Sequence, residues 1–163
     1  MIVFSLIFIL CSCREVTSDP HQIVSAMAES CEIRSVGSVY TTESSQGSPD
    51  HLSSELLFEL FGDFDFSGVK GAVCLADGVE LFELSAFDCP DPDTAEAVGG
   101  LCAVRFDHAV KAAKKMNISE VDFTVKIYGN RVLAALCEDS DTAIGAGMEK
   151  IKGGKSLLNM KKG

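Results

Sequence analysis

The sequence predicts an α+β fold, an antiparallel sheet of about five strands sandwiched by helices. Three observations predict it. Asp77-Gly78 stands between two apolar runs, a strong hairpin signal. Residues 94–116 form a long amphipathic stretch, and residues 121–128 alternate strictly between apolar and polar. Hairpins on either side of one long helix give an antiparallel sheet with helices packed on it, not a run of parallel βαβ units.

Taken in order, the elements begin with an apolar leader. MIVFSLIFILC, from Met1 to Cys11, is interrupted only by Ser5. It is too short to cross a bilayer as a helix. It resembles the apolar part of a signal peptide but lacks a preceding Lys or Arg, and Leu10-Cys11-Ser12-Cys13 loosely resembles a lipoprotein cleavage box. A cleaved leader, a membrane tether and a misassigned start all remain open for residues 1–16. Asp19-Pro20 then opens a short helix to about Cys31, with Asp as cap and Pro at the first helical position. Arg34 to Asp50 is rich in Ser, Thr and Gly and reads as a flexible linker. Residues 17–49 are therefore expected to be a helix plus linker, and residues 50–163 the domain proper.

Within that domain, Leu52, Leu56, Leu57 and Leu60 sit at helical spacing and Gly62 ends the helix. Strands are expected at Val69–Ala76 and Val79–Leu84, then an acidic loop from Asp88 to Asp93. The long helix should start near Thr94, with Asp93 and Glu96 as a capping box, and run to Met116. Strands at Val121–Tyr128 and Arg131–Glu138 follow, with Gly129-Asn130 as their turn, and Thr142–Met148 is expected as a weak fifth strand. A short basic helix closes the chain. From Lys150 to Lys162 there are five Lys and no acid, a charge run that reads as a solvated tail.

The long helix carries two apolar stripes. Ala95, Val98, Cys102, Phe106, Ala109, Ala113 and Met116 make a continuous face for the sheet. Ala97, Leu101, Val104, His108 and Ala112 make a second. A helix resting on one sheet needs only the first, so the second is expected to meet another helix or a partner chain.

Composition narrows the function. The chain has 163 residues, 14 Lys and Arg against 24 Asp and Glu, and a pI near 4.6. A net charge of −10 repels phosphate backbones, which argues against nucleic acid as a partner. Of the seven Cys, Cys74, Cys102 and Cys137 lie in apolar runs, where a free thiol behaves as a small hydrophobe. No CxxC occurs, and no Cys/His spacing suggests zinc.

Three pieces now combine. They are Phe66-Ser67-Gly68-Val69-Lys70-Gly71-Ala72-Val73 leading into the first strand, Ala76-Asp77-Gly78-Val79-Glu80-Leu81 before the long helix, and the strand run from Val121 to Met148. In this order and spacing the chain resembles the roadblock family of dynein light-chain and GTPase-adaptor domains, over about residues 52–148. It departs from the family at Ala143-Ile144-Gly145-Ala146-Gly147, where bulkier strand formers are usual, and in its N-terminal extension and linker. The resemblance implies profilin- or longin-like layering and dimerisation through the long helix and the strand after it, with a sheet continuous across two subunits. The residues it would place at that interface are Ala97, Leu101, Val104 and His108 on the helix and Asp122, Phe123, Thr124, Val125 and Lys126 on the strand. It implies a cytoplasmic adaptor or scaffold; membrane contact, if residues 1–16 are a tether, would come through the apolar N-terminus outside the family core. Partners would be a second copy or another roadblock-type protein, a small GTPase or a dynein intermediate chain. It implies no catalytic residue, metal or cofactor. The alternative is a secreted or lipid-anchored small binding domain, should residues 1–13 be a leader.

Residues with latent chemistry do not converge. Asp63-Phe64-Asp65-Phe66-Ser67-Gly68 matches half of a calcium loop, but Cys74 stands where the bidentate Glu belongs. Gly154-Lys155-Ser156 lacks the earlier Gly of a phosphate loop. His21, His51 and His108 neighbour no Gly-x-Ser-x-Gly elbow, and a Cys nucleophile beside His108 would need contacts the sequence does not reveal.

Overall fold

The computed structural model describes residues 18–31, 37–76, 81–117 and 121–159, with the backbone alone for residues 153–159. The chain order is α1 (Pro20–Ser30), β1 (Gly37–Thr41), α2 (Ser54–Phe61), β2 (Lys70–Ala76), β3 (Glu83–Asp88), α3 (Pro92–Lys115), β4 (Asp122–Tyr128), β5 (Arg131–Cys137) and α4 (Ser140–Asn159). The strands form one five-stranded sheet in the order β1-β2-β3-β5-β4, antiparallel throughout. This is the α+β sandwich expected.

Alternation along the central strands shows how the layers stack. Val73, Phe87, Val132, Ala134 and Leu136 point to one face and pack with α2 and α3. Ala72, Cys74, Leu84, Ala86, Leu133, Ala135 and Cys137 point to the other and pack with α1 and α4. Successive side chains of a strand face opposite ways, so the sheet is covered on both sides. That is why β5 is buried along almost its whole length.

Several elements form where the sequence places them. The Asp19 carboxylate accepts from Gln22 N and Pro20 begins α1, whose Ile23, Val24 and Met27 are fully buried. Gly62, at φ 79°, ends α2, a conformation that favours glycine. The β4–β5 hairpin turns at Gly129-Asn130, with Gly129 at φ 60°.

Four expectations need correction. The stretch expected as linker contains β1, which pairs with β2 from Gly37↔Ala76 to Thr41↔Ala72, so the fold draws on residues before the expected boundary at 49/50. The expected strand over Thr142–Met148 is part of α4. Its Ala143 and Gly147 lie one helical turn apart, and a Cβ at Gly147 would fall 3.0 Å from Met27 Cγ. Small residues there let α4 approach α1. The β2–β3 ladder runs to Leu75↔Glu83, and Ala76 N donates to Phe82 O. A two-residue Asp77-Gly78 turn would instead place Val79 opposite Ala76. Residues 77–80 lie outside the described residues, and the second strand is Glu83–Asp88 rather than Val79–Leu84. Finally, the cap of α3 is Asp91, not Asp93. Its carboxylate accepts from Thr94 N at 2.8 Å and from the Thr94 hydroxyl at 2.9 Å, and Pro92 takes the first helical turn.

Candidate functional site: an open sheet edge beside the long helix

The apolar stripe of α3 lies on the sheet as its spacing requires. Ala95, Val98, Cys102, Phe106 and Ala113 are buried, with Gly99 and Val110 beside them, whereas Met116 is exposed. On one flank α3 meets β4. The Phe106 and Phe123 rings stand edge to face with centroids 6.1 Å apart. Ile127 lies over Gly99, where an added Cβ would fall 2.8 Å from Ile127 Cδ1. Glycine lets strand and helix approach closely here.

On the opposite flank α3 meets β3 and α2. The Arg105 guanidinium donates to both Glu83 oxygens, at 2.9 and 3.2 Å from Nε and 2.8 Å from Nη2, and to Leu60 O at 3.2 Å. Its plane also lies 6.0 Å from the Phe61 ring centroid. Burial pushes the Glu83 carboxyl above its ordinary range, and the Arg105 hydrogen bond and charge oppose that.

These contacts divide the expected interface in two. Leu101 and Arg105 are four residues apart and share a flank, while Gly99 sits roughly 160° around the helix from Leu101. Leu101 is half-buried against the core shared with α2. Ala97, Val104 and His108 are exposed, with Val104 58 % accessible. None of the four lies on the flank that meets β4. The helix half of the expected interface and the strand half are therefore separate surfaces. A helical wheel fixes which residues share a side but not which neighbour covers it.

The strand half stays together. Phe123 and Val125 pack toward α3, as does Ile127, which remains 42 % exposed. On the other face the Thr124 hydroxyl meets the Ser140 hydroxyl and donates to Asp141, both at 2.8 Å, at the start of α4. Asp122 and Lys126 are exposed. So β4 is held from above by α3, from below by α4 and from one side by β5, and its outer edge is open among the described residues.

The other edge of the sheet is shorter and partly covered. β1 has five residues, and at its end Thr41 N donates to Asp50 O while Leu52 N donates to Thr41 O. The segment before α2 thus closes over Thr41. By contrast β4 has seven residues in unbroken register with β5, with no Pro and no bulge. Devices that normally protect an edge are nearly missing from it.

Elsewhere the chemistry is dispersed. Cys102 is sealed, and burial pushes its thiol well above the ordinary range, while His108 is exposed on the outer side of α3. The Asp65 carboxylate caps Ser67 N at 2.9 Å inside a turn. Among the described residues no three His, Cys, Asp or Glu side chains are grouped to hold a metal. A cleft of about 390 Å³ opens beside α2, lined by His51, Leu57, Phe58, Phe64 and Phe66 among others. No helix among the described residues is long and apolar enough to cross a membrane. Compared with known proteins, the chain matches no family model, no curated protein and no solved structure.

Proposed function

We propose that this chain is a non-enzymatic pairing module, an adaptor or scaffold whose β4 edge joins the β4 edge of a second copy. The observation that carries this reading is the open, regular, seven-residue β4 with half-exposed apolar side chains on its α3 face. Two copies related by a two-fold axis normal to the sheet would pair antiparallel and share one continuous sheet.

Charge selects a register. Centred on Thr124, the pairing sets Asp122 opposite Lys126 of the second copy, and Lys126 opposite its Asp122. Phe123 meets Val125, and Val121 meets Ile127. Centred on Val125, both charges would lack opposite partners. Cross-strand ion pairs and apolar pairs each contribute roughly 0.2–1 kcal/mol. The surface formed by Ala97, Val104 and His108 would stay outside this seam, free for a third protein. The narrower roles, scaffolding a small GTPase or binding a dynein intermediate chain, rest on the sequence resemblance, and the cytoplasmic address rests on it together with cysteines that sit in apolar runs as reduced thiols.

Light scattering of the full chain at micromolar concentration tests the reading. Wild type should be a dimer, and Ile127→Lys a folded monomer. Asp122→Lys should weaken pairing roughly tenfold by setting Lys against Lys twice, and adding Lys126→Asp should restore it. A monomeric wild type, or an Ile127→Lys dimer as tight as wild type, would overturn the proposal.

A further inference from the structure

Helices α1 and α4 pack so that the start of one lies beside the later part of the other. The Ser18 hydroxyl, just before α1, donates to Lys150 O at 3.1 Å, and Ser18 is buried there. About one turn earlier on α4, Gly147 lies against Ile23 and Met27. The two helices therefore run in opposite senses. The chain before Ser18 leaves the fold beside Lys150. From that same point α4 continues nine residues further, to Asn159, a rise of about 14 Å.

The two stretches of chain that meet here suit a lipid surface. Residues 1–11 are apolar except for Ser5, and the six residues 12–17 join them to Ser18. Six residues reach at most roughly 20 Å, so the apolar stretch is tethered close to the base of the last part of α4. From Lys150 onward the sequence holds five Lys, namely Lys150, Lys152, Lys155, Lys161 and Lys162, and all 24 Asp and Glu precede it. Lys150 and Lys152 are exposed.

We propose that residues 1–11 and 150–162 form one docking surface for an anionic lipid bilayer. Eleven apolar residues are too few to span a bilayer as a helix. A single short apolar anchor holds a protein to a membrane only marginally, and a polybasic patch beside it supplies the second signal. The chain as a whole carries a net charge of −10, which an anionic surface repels. Segregation of the charge offsets this. Charges are screened beyond about 8 Å at physiological salt, less than the rise of α4 past Lys150. The acids nearest in sequence are Asp19, whose carboxylate is turned to Gln22 N as the cap of α1, and the exposed Glu149. Because this surface belongs to the α1–α4 layer, it does not depend on pairing at β4.

The test floats the full chain, its intact mass confirmed, with vesicles in a density gradient. Phosphatidylcholine vesicles containing about 30 % phosphatidylserine should carry it upward, and phosphatidylcholine vesicles should bind about tenfold less or weaker still. Raising the salt from about 0.1 M to about 0.5 M should release it. Replacing all five Lys by Gln should weaken binding to the anionic vesicles roughly a hundredfold or more, since each Lys near such a surface contributes about fivefold. Phe4→Asp combined with Phe8→Asp should weaken binding to both kinds of vesicle. Circular dichroism checks that both variants keep the fold. Equal binding of wild type to neutral and anionic vesicles, or unchanged binding of the Lys variant, overturns the proposal. It is equally overturned if the Phe4 and Phe8 variant binds as tightly as wild type, since the basic end would then act without the apolar stretch.

Discussion

Glu83 is almost sealed from solvent, and one guanidinium holds its charge there. Taking a carboxylate out of water costs several kcal/mol unless a partner repays it. Arg105 does so and ties β3, α3 and α2 together by also bonding Leu60 O. Arg105→Met should therefore destabilise the fold by about 3 kcal/mol near pH 7, the usual cost of orphaning a buried charge. Glu83 already titrates above its ordinary range, and losing Arg105 raises it further. A carboxyl with a raised folded-state pKa favours folding in its protonated form, so the penalty is full above that pKa and fades as pH falls through it. Urea titrations of wild type and variant at pH 7 and pH 5 should show the gap narrowing at the lower pH. A gap independent of pH would mean that lost packing against Phe61, not charge, causes the effect. This pair was not legible in the sequence. Glu83 stood in an expected strand and Arg105 on an expected helix, but only the placement of the layers brings them together.

Element by element, legibility followed the strength of the local pattern. α1, α3, β4 and β5 were readable because caps, seven-residue stripes and period-two alternation each leave a trace that tertiary contacts only reinforce. β1 was not, because Gly37-Ser38-Val39-Tyr40-Thr41 is short, lies at an edge and is mostly half-buried, so its composition resembles the linker around it. α4 was misread for a different reason. Thr142–Met148 was expected as a weak fifth strand although its small residues are not usual strand formers, and glycine also weakens a helix locally, so neither pattern was strong there. Tertiary packing wins there, since Gly147 lies against Met27 Cγ at 3.0 Å, Met27 Sδ at 3.1 Å and Ile23 Cγ2 at 3.3 Å from where its Cβ would be. Gly147→Leu should raise intrinsic helix propensity yet lower stability by about 2 kcal/mol, because the added methylenes push α1 off the sheet. Thermal unfolding followed by circular dichroism reads the sign. A higher melting temperature would show that α1 and α4 have room to part.

At the scale of the whole molecule, the two faces of the sheet depend on different parts of the chain. The buried core of the α2–α3 face comes entirely from residues after 50, with Tyr40 of β1 packed at its margin, and its strand β4 was the part of the candidate site that the sequence revealed. The other face is not self-sufficient. α4 covers part of it, but Ile23, Val24 and Met27 of α1 fill the rest at zero exposure, over Ala72, Cys74, Leu84, Ala86 and Leu133. The Ser18 hydroxyl anchors the start of α1 to Lys150 O on α4, at 3.1 Å. Burying three such side chains contributes roughly 6 kcal/mol, which is comparable with the total stability of a typical domain, about 5–15 kcal/mol. A fragment of residues 50–163 lacks α1 and also loses β1 from the sheet edge. It should retain helical signal but unfold without a cooperative transition and bind an apolar dye, whereas residues 18–163 should unfold in one step. Urea denaturation followed by tyrosine fluorescence and by far-ultraviolet circular dichroism separates the outcomes. Coincident, steep transitions in the 50–163 fragment would mean that α4 alone can seal the face, and that α1 is a docked segment, not a wall of the core.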